Sequence, residues 1–496
     1  MLLRPTQDDL KLIGYNVARM LLISAVAGLI PLAWALAARE WAPAADFLVM
    51  VGLYAVLGAL GLILRPQKDR LDWSHGMVVV ALIWLIVPIV GAVPLALSGH
   101  FAGWLDAFFD AMSGITTTGL TLVQDLDHMA SSMVIWRHVL HFLGGQGIII
   151  AALSLFSGAG TATLYYGEAR DDQIFPSVRS TARFIWLVSI LNGVAGIAAL
   201  SLVAYLDLGF GALRSFYHGA TIFMAAFDTG GFAPQSTSIA YYHSAPFEMV
   251  VAVLMVAGAM SFGVHFALWR RRSVLGNLET KTILLTFAGT LIITQIGLAM
   301  AGTYRSIAGL GRQSFFQVLS AHTGTGFSTV PSKELAMWGG LAFGGMTIAM
   351  ALGGMASSTA GGVKSLRVGL VLRSIGAQVK QVLLPEGAVI SHRFWQNGPR
   401  TLTDNLKQAV MAISLLYVAL YILGAGIALA VGIPLQQALF ESVSAAANVG
   451  LSVGVTTPSM PAALKLTYAF QMWAGRLEFI AIFALIGFAW SLVRGK

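Results

Sequence analysis

Long apolar stretches separated by short polar ones dominate the chain, and they recur in a regular order. The pattern predicts spans at about 12–38 and 46–64, joined by a short loop carrying Arg39 and Glu40. The charged turn Arg65-Pro66-Gln67-Lys68-Asp69-Arg70 leads to a span at about 76–98, a shorter amphipathic piece at 104–116 and a span at about 131–156. A polar loop at 157–182 holds Arg170, Asp171, Asp172 and Arg179. The plan then repeats: spans at about 184–208 and 243–269 flank 212–236, spans at 282–302 and 337–372 flank 311–330, and spans at 406–432 and 465–492 flank 435–456. Several runs reach the roughly 20 apolar residues that cross a bilayer as a helix, and most lack the period-2 alternation of a membrane barrel. The pattern therefore predicts an all-α polytopic membrane protein, with two N-terminal spans and then four units of span, half-length helix, span. The two-span preface is 1–70 and the four units are 71–180, 181–280, 281–404 and 405–496, the third including a cytoplasmic segment.

Composition agrees: 57% of the 496 residues are hydrophobic and 10% charged, with a mean hydropathy of +0.77. The 54 glycines suit close helix packing and broken helices. Cysteine is absent, which excludes disulfides, thiolate metal sites and catalytic thiols. The first apolar run is too long for a signal-peptide core and is read as a retained span. The net charge of +8 is unevenly placed. With a cytoplasmic N-terminus, inner loops and tails hold 21 of the 30 basic residues, among them Lys68, Arg70, Arg270, Arg271, Arg272, Arg373, Lys380, Arg393, Arg494 and Lys496. Outer loops hold six: Arg39, Arg214, Arg305, Arg312, Lys333 and Lys465. Arg19, Arg137 and Arg476 lie within or at the ends of spans. This is the positive-inside bias of a plasma-membrane protein with both termini inside. It accounts for the charge without nucleic acid, and it places all four half-length segments outside as re-entrant hairpins.

Those four segments end alike. They read Thr117-Thr118-Gly119-Leu120-Thr121, Asp228-Thr229-Gly230-Gly231-Phe232, Gly324-Thr325-Gly326-Phe327-Ser328 and Asn448-Val449-Gly450-Leu451-Ser452. In three of them Phe108-Phe109-Asp110, Phe315-Phe316-Gln317 or Leu439-Phe440-Glu441 begins eleven residues before the aligned glycine. Rings of backbone carbonyls can replace an ion's water in a membrane, and non-helical backbone is tolerated at that depth where it lines a wet path or is buried in protein. The partly negative C-terminal ends of four half-helices suit a cation, and Asp110, Asp228 and Glu441 are expected to add negative charge near the entrance. Packing kinks alone would not require the matched residues upstream.

On these residues the chain resembles the membrane subunit of the Trk/Ktr/HKT superfamily of potassium transporters, most closely its bacterial Trk type, over essentially its whole length. Further marks are Trp136-Arg137 with Gly144-Gly145-Gln146-Gly147-Ile148, Gly353-Gly354 before Ser358-Thr359-Ala360-Gly361-Gly362-Val363-Lys364, and Gly475-Arg476-Leu477-Glu478. The resemblance implies potassium as the transported ion, with a filter built from Thr117, Thr118, Gly119, Asp228, Thr229, Gly230, Gly324, Thr325, Gly326, Asn448, Val449 and Gly450. Glycine at all four filter positions goes, in that family, with potassium preference. The resemblance also implies an intramembrane gate around Gly353, Gly354, Ser358, Thr359, Gly361, Gly362 and Lys364, a homodimer, and a cytoplasmic nucleotide-binding regulatory ring of TrkA type as partner. Two departures stand out. Phe216-Tyr217-His218 lies three residues further from its glycine than the matching triplets, and Val449 replaces threonine.

Small and polar residues from Gly353 to Gly362 would in any case break a long helix. A charge inside a span is costly and usually functional. Arg476 could sit against the broken loop's carbonyls and Glu478, repel a cation in the pore, or simply pair with Glu478. His138 and His141 are spaced for one helix face, but with no third ligand nearby they read as packed side chains. The inner segment 373–407, with Lys380, His392, Arg393 and Arg400, is a solvated linker or a docking surface, and the resemblance favours docking. No phosphate-binding glycine loop occurs, so nucleotide would bind the partner. A carrier of another cation or solute is the alternative, and the fourfold half-segments argue against it. A membrane enzyme is disfavoured because no catalytic cluster of Asp, Glu, His or Ser is evident. The residues leave open passive, proton-coupled and sodium-coupled movement.

Overall fold

A computed structural model describes residues 5–67, 71–147, 178–385, 393–396 and 398–495. Lys68, Arg70, Ile148, Arg170, Asp171, Asp172, His392 and Lys496 lie outside the described residues, as does the predicted end of the 131–156 span.

The protein is helical. α1 (Gln7–Ala38) and α2 (Trp41–Leu62) form an antiparallel pair. Four units follow, the first being α3 (Trp73–Leu97), α4 (Trp104–Ile115) and α5 (Ser131–Gln146). The second is α6 (Val178–Leu206), α7 (Ala212–Phe227), α8 (Ala245–Ala259) and α9 (Phe262–Trp269). The third is α10 (Leu278–Met300), α11 (Ile307–His322), the short α12 (Ser332–Ala336), α13 (Gly340–Ala351) and α14 (Ser365–Val382). The fourth is α15 (Asp404–Ala430), α16 (Leu435–Ala446), α17 (Ala462–Arg476) and α18 (Ile480–Arg494). The described strands are β1 (Arg393–Trp395) and β2 (Pro399–Thr401), an antiparallel hairpin between α14 and α15.

Among the described residues six helices are long and apolar enough to cross a membrane, or eight when each bent pair counts as one span. Polar residues set many helix starts. Thr6 and Asp9 form a reciprocal capping box on α1, and Asn277, Ser306 and Thr403 cap α10, α11 and α15. The half-length helices α4, α7, α11 and α16 sit inside the ring of longer ones, and Phe109, Phe316 and Phe440 are buried in the core.

Two predicted spans are each two helices. The 243–269 run bends by 105° between α8 and α9, and the 465–492 run bends by 108° between α17 and α18. Apolar periodicity does not show either break, because the groups that compensate it come from elsewhere in the chain. At the first bend, Ala259 O accepts from Met355 N at 3.0 Å and Gly258 O accepts from the Thr359 hydroxyl at 2.9 Å. The carbonyls that a helix end leaves without intrahelical donors are thus satisfied from the third unit. At the second, Glu478 and Phe479 take left-handed φ values of 49° and 72°, and Glu478 is ion-paired with Arg367. The predicted break near 353–362 is present: α13 stops at Ala351 and α14 starts at Ser365.

Candidate ion pathway

Each half-length helix ends in a hairpin with the same backbone. Left-handed residues occur two apart: Thr117 and Gly119, Thr229 and Gly231, Gly324 and Gly326, Asn448 and Gly450. The intervening N–H bonds back into its own helix, from Thr118 to Ser113 O, Gly230 to Ala225 O, Thr325 to Ser320 O and Val449 to Ser444 O, at 2.8–2.9 Å. Threonine and asparagine at positive φ are strained relative to glycine, and here the helix end holds them.

The four hairpins close on one another. A Cβ built on Gly119 would collide with the Gly230 carbonyl, one on Gly231 with the Thr325 carbonyl, one on Gly326 with the Val449 carbonyl, and one on Gly450 with the Thr118 carbonyl. Each contact joins one unit to the next, and the fourth returns to the first. Only a residue without a side chain allows this approach, and at these four positions φ also favours glycine. Above the ring lies a cavity of about 360 Å³ whose lining includes Gly119, Gly231, Gly326 and Gly450.

This geometry moves the second hairpin by one residue. By φ and hydrogen bonding, Thr229-Gly230-Gly231 matches Thr117-Thr118-Gly119, whereas Asp228 is the helix C-cap equivalent to Thr116, Thr323 and Ala447. Aligning Phe232 with Phe327 and Leu451 would have given this register from the sequence. Thr221 then takes the place of the buried Phe109, Phe316 and Phe440, so Phe216-Tyr217-His218 has no counterpart.

The expected acidic entrance is not built. Asp110 is buried and receives Arg137 through Nε at 2.7 Å and Nη2 at 3.1 Å, with the Thr121 hydroxyl at 2.6 Å. Glu441 is buried and accepts from Ser452 Oγ at 2.6 Å, Thr456 Oγ1 at 2.7 Å and the Val453 N–H at 2.9 Å. Gln317 plays the same part in the third unit, accepting from the Thr329 N–H at 2.9 Å and donating to Ser328 Oγ at 3.1 Å. These groups tie down the outward leg of the first, third and fourth hairpins, since buried polar and charged groups must be hydrogen-bonded. Asp228 also points inward and accepts from Gln146 Nε2 at 2.7 Å. Among the described residues that line the outer cavity there is no carboxylate.

Beneath the ring, loop 352–364 meets the second, third and fourth hairpins, and Arg476 links it to the first. Thr359 Oγ1 donates to Phe227 O at 3.0 Å and lies 3.2 Å from Thr229 Oγ1. A Cβ on Gly361 would strike Ala447 O, and one on Gly324 would lie 3.6 Å from Gly361 N. Arg476 closes the set. Nη1 donates to Thr359 O at 2.6 Å and Thr117 Oγ1 at 3.1 Å, and Nη2 donates to Gly144 O at 2.7 Å. Of the alternatives for Arg476, this is the one against the loop's carbonyls. Glu478 pairs with Arg367 on α14.

Gly353 and Gly362 pack where the loop's two legs run side by side, joined by Gly353 N to Val363 O at 2.9 Å. Gly354 O accepts from Ser365 N at 2.9 Å, Ser358 Oγ donates to Met355 O at 2.6 Å, and Lys364 Nζ donates to Ala360 O. Glu279 at the start of α10 accepts from Ala356 N at 2.7 Å. Glu279 and Arg367 are not among the residues the sequence singles out, although a charge at the edge of or inside a predicted span is a usable signal. The cavity between loop, Trp84, Tyr417 and Arg476 measures about 20 Å³, room for about one water.

His138 and His141 are packed behind the second hairpin. His138 lies with Nδ1 2.7 Å from Val134 O and Nε2 3.0 Å from Phe232 O, and His141 stacks on Phe232 at 4.2 Å. Among the described residues no cluster of three His, Cys, Asp or Glu could hold a metal.

Four hairpins closed in a ring, above a helix broken across their axis, define a polytopic membrane transport protein rather than a soluble binding domain. The family model TrkH, a cation transport protein, matches residues 49–489, and the chain belongs to that family. It is 30% identical over 443 residues to an uncharacterized cation transporter of Methanocaldococcus jannaschii, covering 89% of this chain and 88% of that one. It is 29% identical over 454 residues to the Trk system potassium uptake protein TrkH of Halomonas elongata, covering 88% and 90%. The crystal structure of the potassium transporter TrkH from Vibrio parahaemolyticus superposes with a TM-score of 0.82 over 96% of this chain and 98% of that one, at 23% identity, and so shares the fold.

Proposed function

We propose that this chain takes up potassium across the plasma membrane, the ion passing through a filter formed by backbone carbonyls of 117–119, 229–231, 324–326 and 448–450. The reading rests on the ring in which each left-handed glycine meets the next unit's carbonyl. Such carbonyls substitute for the hydration shell of a monovalent cation. The names of the uptake proteins from Halomonas and Escherichia coli, 29% and 28% identical to this chain, support potassium as the ion. In this reading the chain divides at 70, 180, 280 and 404 into a two-span preface and four repeats, and the loop 353–362 with Lys364 and Arg476 serves as the gate. The basic loops place both termini inside, and a homodimer in the lipid bilayer working with a nucleotide-binding ring completes the assembly.

Potassium and sodium flux into proteoliposomes, with and without imposed proton and sodium gradients, tests this. Potassium uptake in preference to sodium is expected. Gly119→Ser, whose Cβ would press on the Gly230 carbonyl, should lower that preference about tenfold, a loss of about 1.4 kcal/mol in discrimination. Equal uptake of both ions by the unmodified protein, or an unchanged ratio in Gly119→Ser, would defeat the filter assignment.

A further inference from the structure

The most basic described loop of the protein borders a cavity that the ion pathway does not use. α9 ends at Trp269, and Arg270, Arg271 and Arg272 follow before Asn277 caps α10. Facing this loop is the β1–β2 hairpin, which Phe394 anchors in a small core with Leu278, Leu370, Leu402 and Val410. Between them lies a cavity of about 420 Å³, lined by Phe266, Arg272, Asn277, Trp395, Gln396 and Arg400, with Val264 and Val274 completing its apolar wall.

Its chemistry is one-sided. Arg272 and Arg400 are exposed, and neither has an ion-pair partner among the described residues. No described carboxylate lines the cavity. Gln396 is only 3% exposed, and its side-chain amide has no described protein partner. Two forked guanidinium groups and an amide around one space match a phosphate group, which takes bidentate hydrogen bonds from arginine. The surroundings are apolar: Leu268, Trp269 and Leu275 are 48%, 56% and 63% exposed, and Trp395 is 52% exposed. Exposed tryptophan and leucine beside arginine is the signature of a membrane–water interface, where basic residues meet anionic headgroups. A soluble phosphate compound would leave that apolar rim uncovered.

From this juxtaposition we infer that the cavity is a binding site for an anionic phospholipid of the inner leaflet, its phosphate held by Arg272 and Arg400 and its chains lying along α9. The ligand would clamp the bend after α8 to the segment joining α14 to α15. It is independent of the filter, because none of these residues touches the four hairpins.

The test is lipid retention by the purified full chain, measured by native mass spectrometry after incubation with phosphatidylglycerol or phosphatidylcholine. The protein should retain phosphatidylglycerol about tenfold better, and Arg272→Gln with Arg400→Gln should bring the ratio near one. Arg272→Lys with Arg400→Lys should keep part of the preference, which shows that the fold survives. Arg270→Gln with Arg271→Gln removes equal charge from the same loop outside the cavity and should leave the preference in place. Equal loss in both glutamine pairs would reduce the effect to general charge attraction and overturn the site. Release of the lipid by millimolar inorganic phosphate would assign the cavity to a soluble phosphate and overturn the lipid reading. Unchanged retention with lost binding of a cytoplasmic partner chain would assign the arginines to protein docking, with the same consequence.

Discussion

At the scale of single residues, Gly230 and Gly231 show how neighbouring glycines answer different demands. Gly231 has φ +73° and its missing Cβ makes room for the Thr325 carbonyl, which is backbone and cannot yield. Gly230 is outside the left-handed region, and what a Cβ would meet there is the His141 ring. The two positions should therefore differ in rescue. Gly230→Ala is expected to reduce potassium-over-sodium selectivity and to regain it in a His141→Ala background, where the obstruction is gone. Gly231→Ala should lose selectivity about tenfold or more and stay impaired with His141→Ala, because backbone and strain are at fault. Isotope flux in proteoliposomes separates them, and rescue at Gly231 would return the register to Gly230. Sequence alone favoured Gly230, since a repeated Thr-x-Gly is visible while a backbone angle is not. In the same way Asp110 and Glu441 advertise charge, but not that Arg137 and the backbone of 453–455 consume it.

At the scale of elements, the broken span in the third unit was legible and the breaks in the second and fourth were not. Gly353 to Gly362 is poor in helix formers and rich in glycine and serine, so the interruption is local and visible. Met260 sits in largely apolar sequence and Leu477 between Arg476 and Glu478, and neither run is poor in helix formers; their breaks depend on donors and charges from other units: Met355 and Thr359 for one, Arg367 for the other. Two of the polar contacts that hold the loop come from charged side chains elsewhere in the chain, Arg476 on Thr359 O and Glu279 on the Ala356 N–H. A hydrogen bond to a charged group contributes about 1.5–3 kcal/mol. Removing one should shift a closed loop toward open states by about tenfold or more. Arg476→Ala, Glu279→Gln and deletions within 353–362 are each expected to raise basal potassium flux in proteoliposomes. Glu279→Gln is the sharper case, since it is remote from the ring and should leave potassium-over-sodium preference unaltered. A tightly closed Arg476→Ala or Glu279→Gln protein would remove the loop from the gating role.

At the scale of the whole molecule, the fourfold plan was readable because each unit must carry the same small signature to contribute to one ring. One link that joins the two N-terminal helices to that ring was not, since it is a carboxylate far away in the chain that adds to packing and to bonds such as Tyr54 OH to Val87 O at 2.6 Å. Glu40, between α1 and α2, accepts from Ser131 N at 2.9 Å, Ser131 Oγ at 2.6 Å, Ser132 N at 3.0 Å and Ser132 Oγ. Residue Ala130 offers α5 no side-chain cap, so Glu40 supplies one from outside and places negative charge at the helix's positive end. Burial by itself would raise the Glu40 pKa, and the four hydrogen bonds outweigh it, holding the carboxyl below its ordinary value. A carboxylate with a lowered pKa in the folded state stabilises above its unfolded pKa of about 4.3 and loses that contribution as pH falls through the folded value. Glu40→Gln should therefore lower the apparent melting temperature of the purified protein at pH 7. The gap from the unmodified protein should narrow as the pH falls below the unfolded value and through the lower folded one, beneath which the carboxylate is protonated in both states. A gap of the same size at pH 7 and in that acid range would mean that Glu40 holds α5 by shape and hydrogen bonding alone, with no part played by its charge.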